Sequence, residues 1–276
     1  MEKPLIDKYE RAITTTFRRT LWSKFLKAIY DYKMFSPGDK IAVCISGGKD
    51  SMLLAKLFSS LEKFMDFQIK VKYLVMNPGY NEKNLNLIKE NIKKLNIDVE
   101  IKETNIFDIA SLQDKSPCFL CAKMRRGALY NFASALGCNK IALGHHYDDV
   151  IETTLMNMLS TGSFQTMLPK LKSTNHPGME LIRPMYFIRE EDIIAFKDHF
   201  DLKFLQCACH FTDAAAKNEL ESRRKQTKEL IKTLKETIPE VDKNIFNAPN
   251  NITLDMNLGY KIDGVYHSYY DNYDND

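Results

Sequence analysis

Two short stretches of this chain concentrate side chains suited to a phosphate-bearing ligand. The first is Ser46-Gly47-Gly48-Lys49-Asp50-Ser51, directly after the apolar run Ile41 to Ile45. Glycines at a strand-to-helix turn let backbone N–H groups approach an anion, the serines add hydroxyl donors, and the helix N-terminus supplies a favourable dipole. The bland alternative is a Gly-Gly turn with a Ser-Asp helix cap. A Walker A loop is excluded, because it needs glycine where Val43 stands and Ser or Thr where Asp50 stands. The second stretch, Leu143-Gly144-His145-His146-Tyr147-Asp148-Asp149, ends a later apolar run, and ligands gather at such strand ends in open α/β sheets. Taken singly, Asp148 and Asp149 serve equally well as caps of the helix that follows.

Sulfur chemistry is the other possibility. Of six cysteines, Cys118 and Cys121 form a CxxC, and Cys207 and Cys209 come much later. A lone CxxC is half of a zinc site, a redox pair, an iron–sulfur pair or a coincidence. Three thiolates can hold three irons of a [4Fe–4S] cluster and leave the fourth open to an exogenous ligand such as hydrosulfide. Arg125 and Arg126 follow the CxxC by about one turn, where they are cluster-side cations or an ordinary solvated pair. Cys44 and Cys138 fit small buried apolar positions.

The elements around these residues read as a βα alternation. The spacing of Ile13, Phe17, Leu21, Phe25 and Ile29 predicts one amphipathic helix from Leu5 to Tyr32, with Lys8, Arg11, Arg18, Arg19, Lys24 and Lys27 beside it. Strands are expected at Lys40 to Ile45, Ile69 to Met76, around Val99 and Ile101, at Lys140 to Leu143, Leu181 to Met185, and Leu202 to Leu205. Helices are expected at Met52 to Phe64, through Leu85, Ile88, Ile92 and Leu95, and at Ala122 to Leu136, Asp149 to Leu159, Glu190 to Phe200 and Thr212 to Thr237. The end from Asn247 onward reads as loosely ordered. The economical architecture is an α/β fold, a parallel sheet with crossover helices. It is divided here into an N-terminal basic helix (1–36), a catalytic domain (37–211) and a helical C-terminal extension with an acidic, Tyr-rich tail (212–276).

Length and composition agree with that plan. With 276 residues, 44% of them hydrophobic, the chain can bury a full core. No run of about 18 apolar residues and no signal-peptide pattern occurs, so the expected location is the cytoplasm, without a membrane. A net charge of +3 does not by itself argue for nucleic acid.

The SGGKDS segment after an apolar strand resembles the PP-loop of the ATP pyrophosphatase superfamily, and Gly144 to Asp149 matches the GHxxDD element of its tRNA-thiolating branch. The longer stretches PCFLCAKMRRGALY, KIALGHHYDD and LIRPMYFIREEDI resemble the tRNA 2-thiocytidine synthetase family from about Arg11 to His210. That resemblance implies an adenine nucleotide alpha hydrolase-like fold and an enzyme that adenylates the C2 oxygen of a pyrimidine, an anticodon-loop cytidine, and replaces it with sulfur. It implies ATP held by Ser46, Gly47, Gly48, Lys49, Asp50 and Ser51, with Met76, Gly144 and His145 added to the nucleotide set. Asp50 would act through Mg²⁺, since bare carboxylate against phosphate is repulsive. Arg125, Asp148 and Asp149 join Asp50 as catalytic candidates. A [4Fe–4S] cluster is implied on Cys118, Cys121 and a later cysteine; this chain has Gln206-Cys207-Ala208-Cys209 where the family has PCxxC, so Cys207 is favoured with Cys209 as its rival. The implied partners are tRNA and sulfide or a cysteine-desulfurase-derived sulfur donor, and a homodimer is compatible with the sequence. The basic first helix, the CxxC arginines and the helix from Thr212 are expected to track tRNA phosphates. The rival readings are a PP-loop enzyme that adenylates a substrate for amidation, a nucleotide-binding regulator without turnover, and a sulfurtransferase acting on another base or small molecule.

Overall fold

The computed structural model describes residues 6–65, 67–112, 117–205 and 217–273, with backbone alone for 117–119, 217–222 and 272. Lys40–Ile45 (β1) forms the central strand because everything after Lys40 is apolar and can be covered on both faces. Lys70–Asn77 (β2) runs parallel on one side, pairing Lys40 with Lys70 through Ile45 with Val75. Lys140–Ala142 (β4) runs parallel on the other, with Ile41 opposite Lys140. Val99–Glu103 (β3) and Glu180–Ile182 (β6) extend the sheet in parallel, and Lys170–Lys172 (β5) closes one edge antiparallel. The order is β3-β2-β1-β4-β6-β5. From β1 the chain winds outward to β3 and then returns past the starting strand to β4. A crevice therefore opens at the carboxyl ends of β1 and β4, where connections leave in opposite directions.

Crossover helices cover both faces: Lys49–Phe64 (α3), Glu82–Lys94 (α4), Ile106–Ser111 (α5), Pro117–Ala135 (α6), Tyr147–Thr161 (α7) and Glu190–His199 (α8). Met52, Leu53, Leu54, Ala55, Leu57, Phe58 and Leu61 of α3 are all buried, which makes it the core helix. Lys217–Thr237 (α9) and Val241–Asn247 (α10) follow. Residues from each of the three expected segments, among them Phe25, Leu54, Ile231 and Phe246, share one hydrophobic cluster. Among the described residues no helix is long and apolar enough to cross a membrane.

The first helix departs from expectation. Instead of one element, Lys8–Thr14 (α1) ends, a π-helical turn spans Arg18–Trp22, and Ser23–Asp31 (α2) resumes. Three consecutive threonines explain the break: Thr14 Oγ1 donates to the Glu10 carbonyl at 3.0 Å and Thr15 Oγ1 to that of Arg11 at 2.7 Å, competing with the helical ladder. Its basic face is also smaller than its composition suggests, since Lys24 pairs with Asp192 and Lys27 with Asp31. Leu202 to Leu205 is not a strand; Leu205 donates its N–H to the Gly47 carbonyl at 3.2 Å and the Lys203 carbonyl accepts from Asn91, so no ladder forms. The end of the chain carries more structure than expected: α10, then a hairpin of Gly259–Ile262 (β7) and Val265–Ser268 (β8).

α1 is tied to α3 by a buried ion cluster. Lys56 is fully buried and donates to Glu10 at 2.9 Å, to Asp7 and to the Leu95 carbonyl, while Lys63 reaches Glu10 at 2.7 Å. Burial disfavours the Glu10 charge, but the lysines outweigh it and hold its carboxyl below the ordinary range. Lys56→Met strips the central cation from buried carboxylates. The expected cost is about 3–5 kcal/mol, read by urea unfolding; a loss under about 1 kcal/mol means the cluster contributes little.

Candidate active site

The phosphate-loop segment bridges β1 and α3. Gly47 has φ +88°, the left-handed region, and a Cβ there would lie 2.7 Å from Ile88 Cγ1 and 2.9 Å from Leu205 Cδ1, so only glycine fits without displacement. Ser51 Oγ accepts from the Ser46 N–H at 3.1 Å and donates to the Gly48 carbonyl at 3.0 Å, closing the turn on itself. Tyr80 Oη holds the Ser46 carbonyl at 3.2 Å. Gly48 caps α3 with extended backbone, and no side chain caps its first turn.

Gly144, at the end of β4, packs against that turn. A Cβ on Gly144 would sit 3.0 Å from the Asp50 carbonyl carbon and 3.1 Å from the Ser51 nitrogen. The two motifs thus touch backbone to backbone, and a cavity of about 360 Å³ opens beside them. Cys44, Ile45, Met76, Leu129 and Leu143 give it an apolar side; Ser46, Ser51, Asp50, Arg125, His145 and Asp149 give it a polar one.

Several charges around it are already matched. Lys49 does not line the cavity; it pairs with Asp50 at 3.1 Å and Glu190 at 3.0 Å, and although burial opposes its charge, these carboxylates raise its pKa. Glu190 also meets Lys228 of α9, and despite burial its two lysines pull its pKa down to about 2. Asp148 accepts the Glu190 N–H at 2.7 Å, capping α8, and is absent from the cavity wall. Asp149 takes the His146 N–H at 2.9 Å on one oxygen and Arg224 at 2.8 Å on the other. Burial drives the His145 pKa down to about 4, so it is a neutral imidazole at pH 7, and its buried Nδ1 has no hydrogen-bond partner among the described residues.

The cysteine helix enters the same cavity. Arg125 and Leu129 of α6 line it, and Cys121, one turn before Arg125 on the same stripe, is buried. The backbone at Cys118 belongs to the first turn of α6. Cys207 and Cys209 lie outside the described residues, and Leu205, the last described residue before them, is the one bonded to Gly47. Cys44 also lines the cavity, but burial pushes its thiol up to about 12, so it is an inert thiol.

A family model described as PP-loop domain matches residues 17–224. The tRNA-cytidine(32) 2-sulfurtransferase of Geotalea uraniireducens (strain Rf4) is 35% identical over 230 residues, covering 82% of this chain and 88% of that protein. Its counterpart in Pelobacter propionicus (strain DSM 2379 / NBRC 103807 / OttBd1) is 33% identical over 242 residues, covering 87% and 88%. The chain belongs to the PP-loop tRNA-cytidine 2-sulfurtransferase family. In fold it is similar to the U34-tRNA thiolase NcsA from Methanococcus maripaludis, solved with its [4Fe-4S] cluster, at a TM-score of 0.65 and 22% identity, covering 85% of this chain and 78% of that one.

For a PP-loop sulfurtransferase sequence, the motifs name the centre of the site better than its rim. Ser46, Asp50, Ser51, Met76, Arg125, Gly144, His145 and Asp149 meet around one cavity, with Gly47 and Gly48 in the turn beside it. Lys49 and Asp148 instead lock α3 and α7 to α8. Glu152, Glu190 and Arg224 were not foreseen as site residues; Glu190 lies in the quoted stretch LIRPMYFIREEDI without a role assigned, and Arg224 in a segment that read only as a charged helix. Arg224, Lys228 and Lys235 of α9 pair with Asp149 and Glu152, Glu190, and Asp242 in turn, so this helix is not the free basic face expected of it.

Proposed function

We propose that this protein is an ATP-dependent tRNA-cytidine 2-sulfurtransferase. One observation carries the reading: the helix bearing the CxxC lines the cavity that the phosphate turn borders, through Arg125, one turn beyond Cys121. ATP fits the residues present. The glycine turn with uncapped amides suits the phosphates, the Met76, Leu129 and Leu143 side suits an adenine, and the orphaned His145 Nδ1 awaits a polar partner. Asp50 and Asp149 are the carboxylates on the wall that would carry Mg²⁺ toward the triphosphate.

Cys118, Cys121 and Cys207, or Cys209 in its place, would hold a [4Fe–4S] cluster; Cys207 lies two residues from Leu205, a span of at most ~7 Å, and Cys209 four residues, at most ~14 Å, and Leu205 touches the phosphate turn. When bound, that cluster would supply the chemistry of presenting sulfide to the activated base. Joining the α-phosphorus of ATP to the cytidine C2 oxygen releases diphosphate and makes that oxygen a leaving group. Sulfur at the sulfide level, supplied as hydrosulfide or as a desulfurase-derived persulfide that a thiol reductant has cleaved, bonds to C2 as the C–O bond breaks, and AMP and a proton depart. Arg125, on the cavity wall, would balance negative charge on the reacting phosphate. The reaction belongs in the cytoplasm in this reading, with tRNA approaching over Arg126 and the exposed Arg11, Arg18 and Arg19.

Mass spectrometry of tRNA nucleosides from cells with and without the gene tests this directly. Loss of 2-thiocytidine on deletion is the expected result, accompanied by iron and acid-labile sulfide in anaerobically purified protein. An unchanged nucleoside profile sinks the reading.

A further inference from the structure

We propose that Arg224 is a positioning residue of this site, fixing the Asp149 carboxylate at the cavity wall from the C-terminal helix α9. The inference rests on the sulfurtransferase reading above and extends the site to a residue 75 positions away from Asp149 in sequence. Arg224 Nη2 donates to Asp149 Oδ1 at 2.8 Å, and its Nε donates to Glu152 Oε2 at 2.8 Å. Asp149 and Glu152 stand three residues apart on α7, so one planar guanidinium bridges a full helical turn. The other Asp149 oxygen is taken by the His146 N–H at 2.9 Å, which leaves the carboxylate held from both sides. Only Asp149 of the pair reaches the cavity. Glu152, its side chain 8% exposed, is the anchor that sets where the guanidinium lies.

Two further features separate this role from simple packing. The phosphate turn closes through Ser46, Ser51 and Gly48 without Arg224, so the turn's own hold on the phosphates, apart from any metal, does not depend on it. Along its remaining length α9 has its own attachments: Thr227 and Ile231 are buried, and Lys235 pairs with Asp242 at 3.0 Å. Removing the Arg224 head group therefore leaves the helix docked and the Asp149 carboxylate held on one side only, by the His146 N–H.

The test uses full-length, cluster-loaded enzyme and three readouts: AMP release with tRNA and ATP, binding of a non-hydrolysable ATP analogue, and thermal unfolding. Arg224→Ala is expected to lower kcat by roughly 10–100-fold, the usual loss on removing a group that orients a site carboxylate. Analogue affinity measured without Mg²⁺, where the turn alone holds the phosphates, should stay within about threefold of wild type. Arg224→Lys should recover part of kcat, because a cation returns without the two-pronged fork. Lys235→Ala, which loosens the far end of α9, should lower Tm and leave kcat unchanged. The proposal is overturned if Arg224→Ala keeps wild-type kcat, if Lys235→Ala loses as much, or if analogue binding falls in step with kcat. Wild-type enzyme that releases AMP but makes no 2-thiocytidine refutes the sulfur chemistry alone, and the Arg224 comparison still decides the positioning role. Wild-type enzyme that releases no AMP overturns both.

Discussion

Alanine at Cys118 or Cys121 is expected to abolish 2-thiocytidine formation, by at least about a hundredfold, while nucleotide binding survives. The asymmetry follows from geometry. Arg125 and Leu129 are the only α6 residues in the cavity wall among those described, and the phosphate turn is built entirely from β1, α3 and their neighbours. In the proposed mechanism, removing a thiolate leaves an iron without its protein ligand, while Ser46, Gly47 and Ser51 keep their bonds. Tritium-labelled ATP-analogue binding and nucleoside mass spectrometry on the same preparations separate the two effects. Wild-type levels of thiolation in either variant remove the cluster from the mechanism.

Gly144→Ala is expected to have the second-largest effect, and in the opposite compartment of the site. The new methyl would meet the backbone of Asp50 and Ser51 at 3.0–3.1 Å, where no side chain can swing aside. The loop must move, and with it the amides that face the phosphates. Overpacking of this kind costs about 1–3 kcal/mol, here read as roughly 5- to 150-fold weaker ATP binding. Gly127→Ala on α6 is the matched control, since nothing lies within 4 Å of its Cβ and alanine is the better helix former by about 1 kcal/mol. Equal nucleotide affinity in Gly144→Ala and wild type would mean that the two motifs do not press on one another.

Periodicity revealed the sheet because its strands are apolar runs bounded by turn residues; Lys40–Ile45 is the clearest case. The short antiparallel edge Lys170–Lys172 was invisible, being three residues of mixed character that become a strand only by pairing with Glu180–Ile182. Leu202 to Leu205 misled for the converse reason: its apolar residues face α4 and the glycine turn, and tertiary contact overrode strand pattern. The threonine break near the N-terminus needed side-chain bonding rather than hydrophobic spacing to be seen. At the site, adjacent residues such as Gly144 and His145 could be read together as a motif. Arg224 could not, since nothing local marks which of many helical cations will reach a particular carboxylate.

The bond from the Leu205 N–H to the Gly47 carbonyl, 3.2 Å long, ties the phosphate turn to the chain leading toward Cys207 and Cys209. Whatever displacement the fuel molecule imposes on that glycine must either snap the tie or haul Leu205 along, and Leu205 is the lead into the stretch bearing Cys207 and Cys209. In the proposed reaction, with Cys207 or Cys209 as an iron ligand, such a shift would link the two sites, and iron is expected to enter the apoprotein at different speeds with and without the fuel.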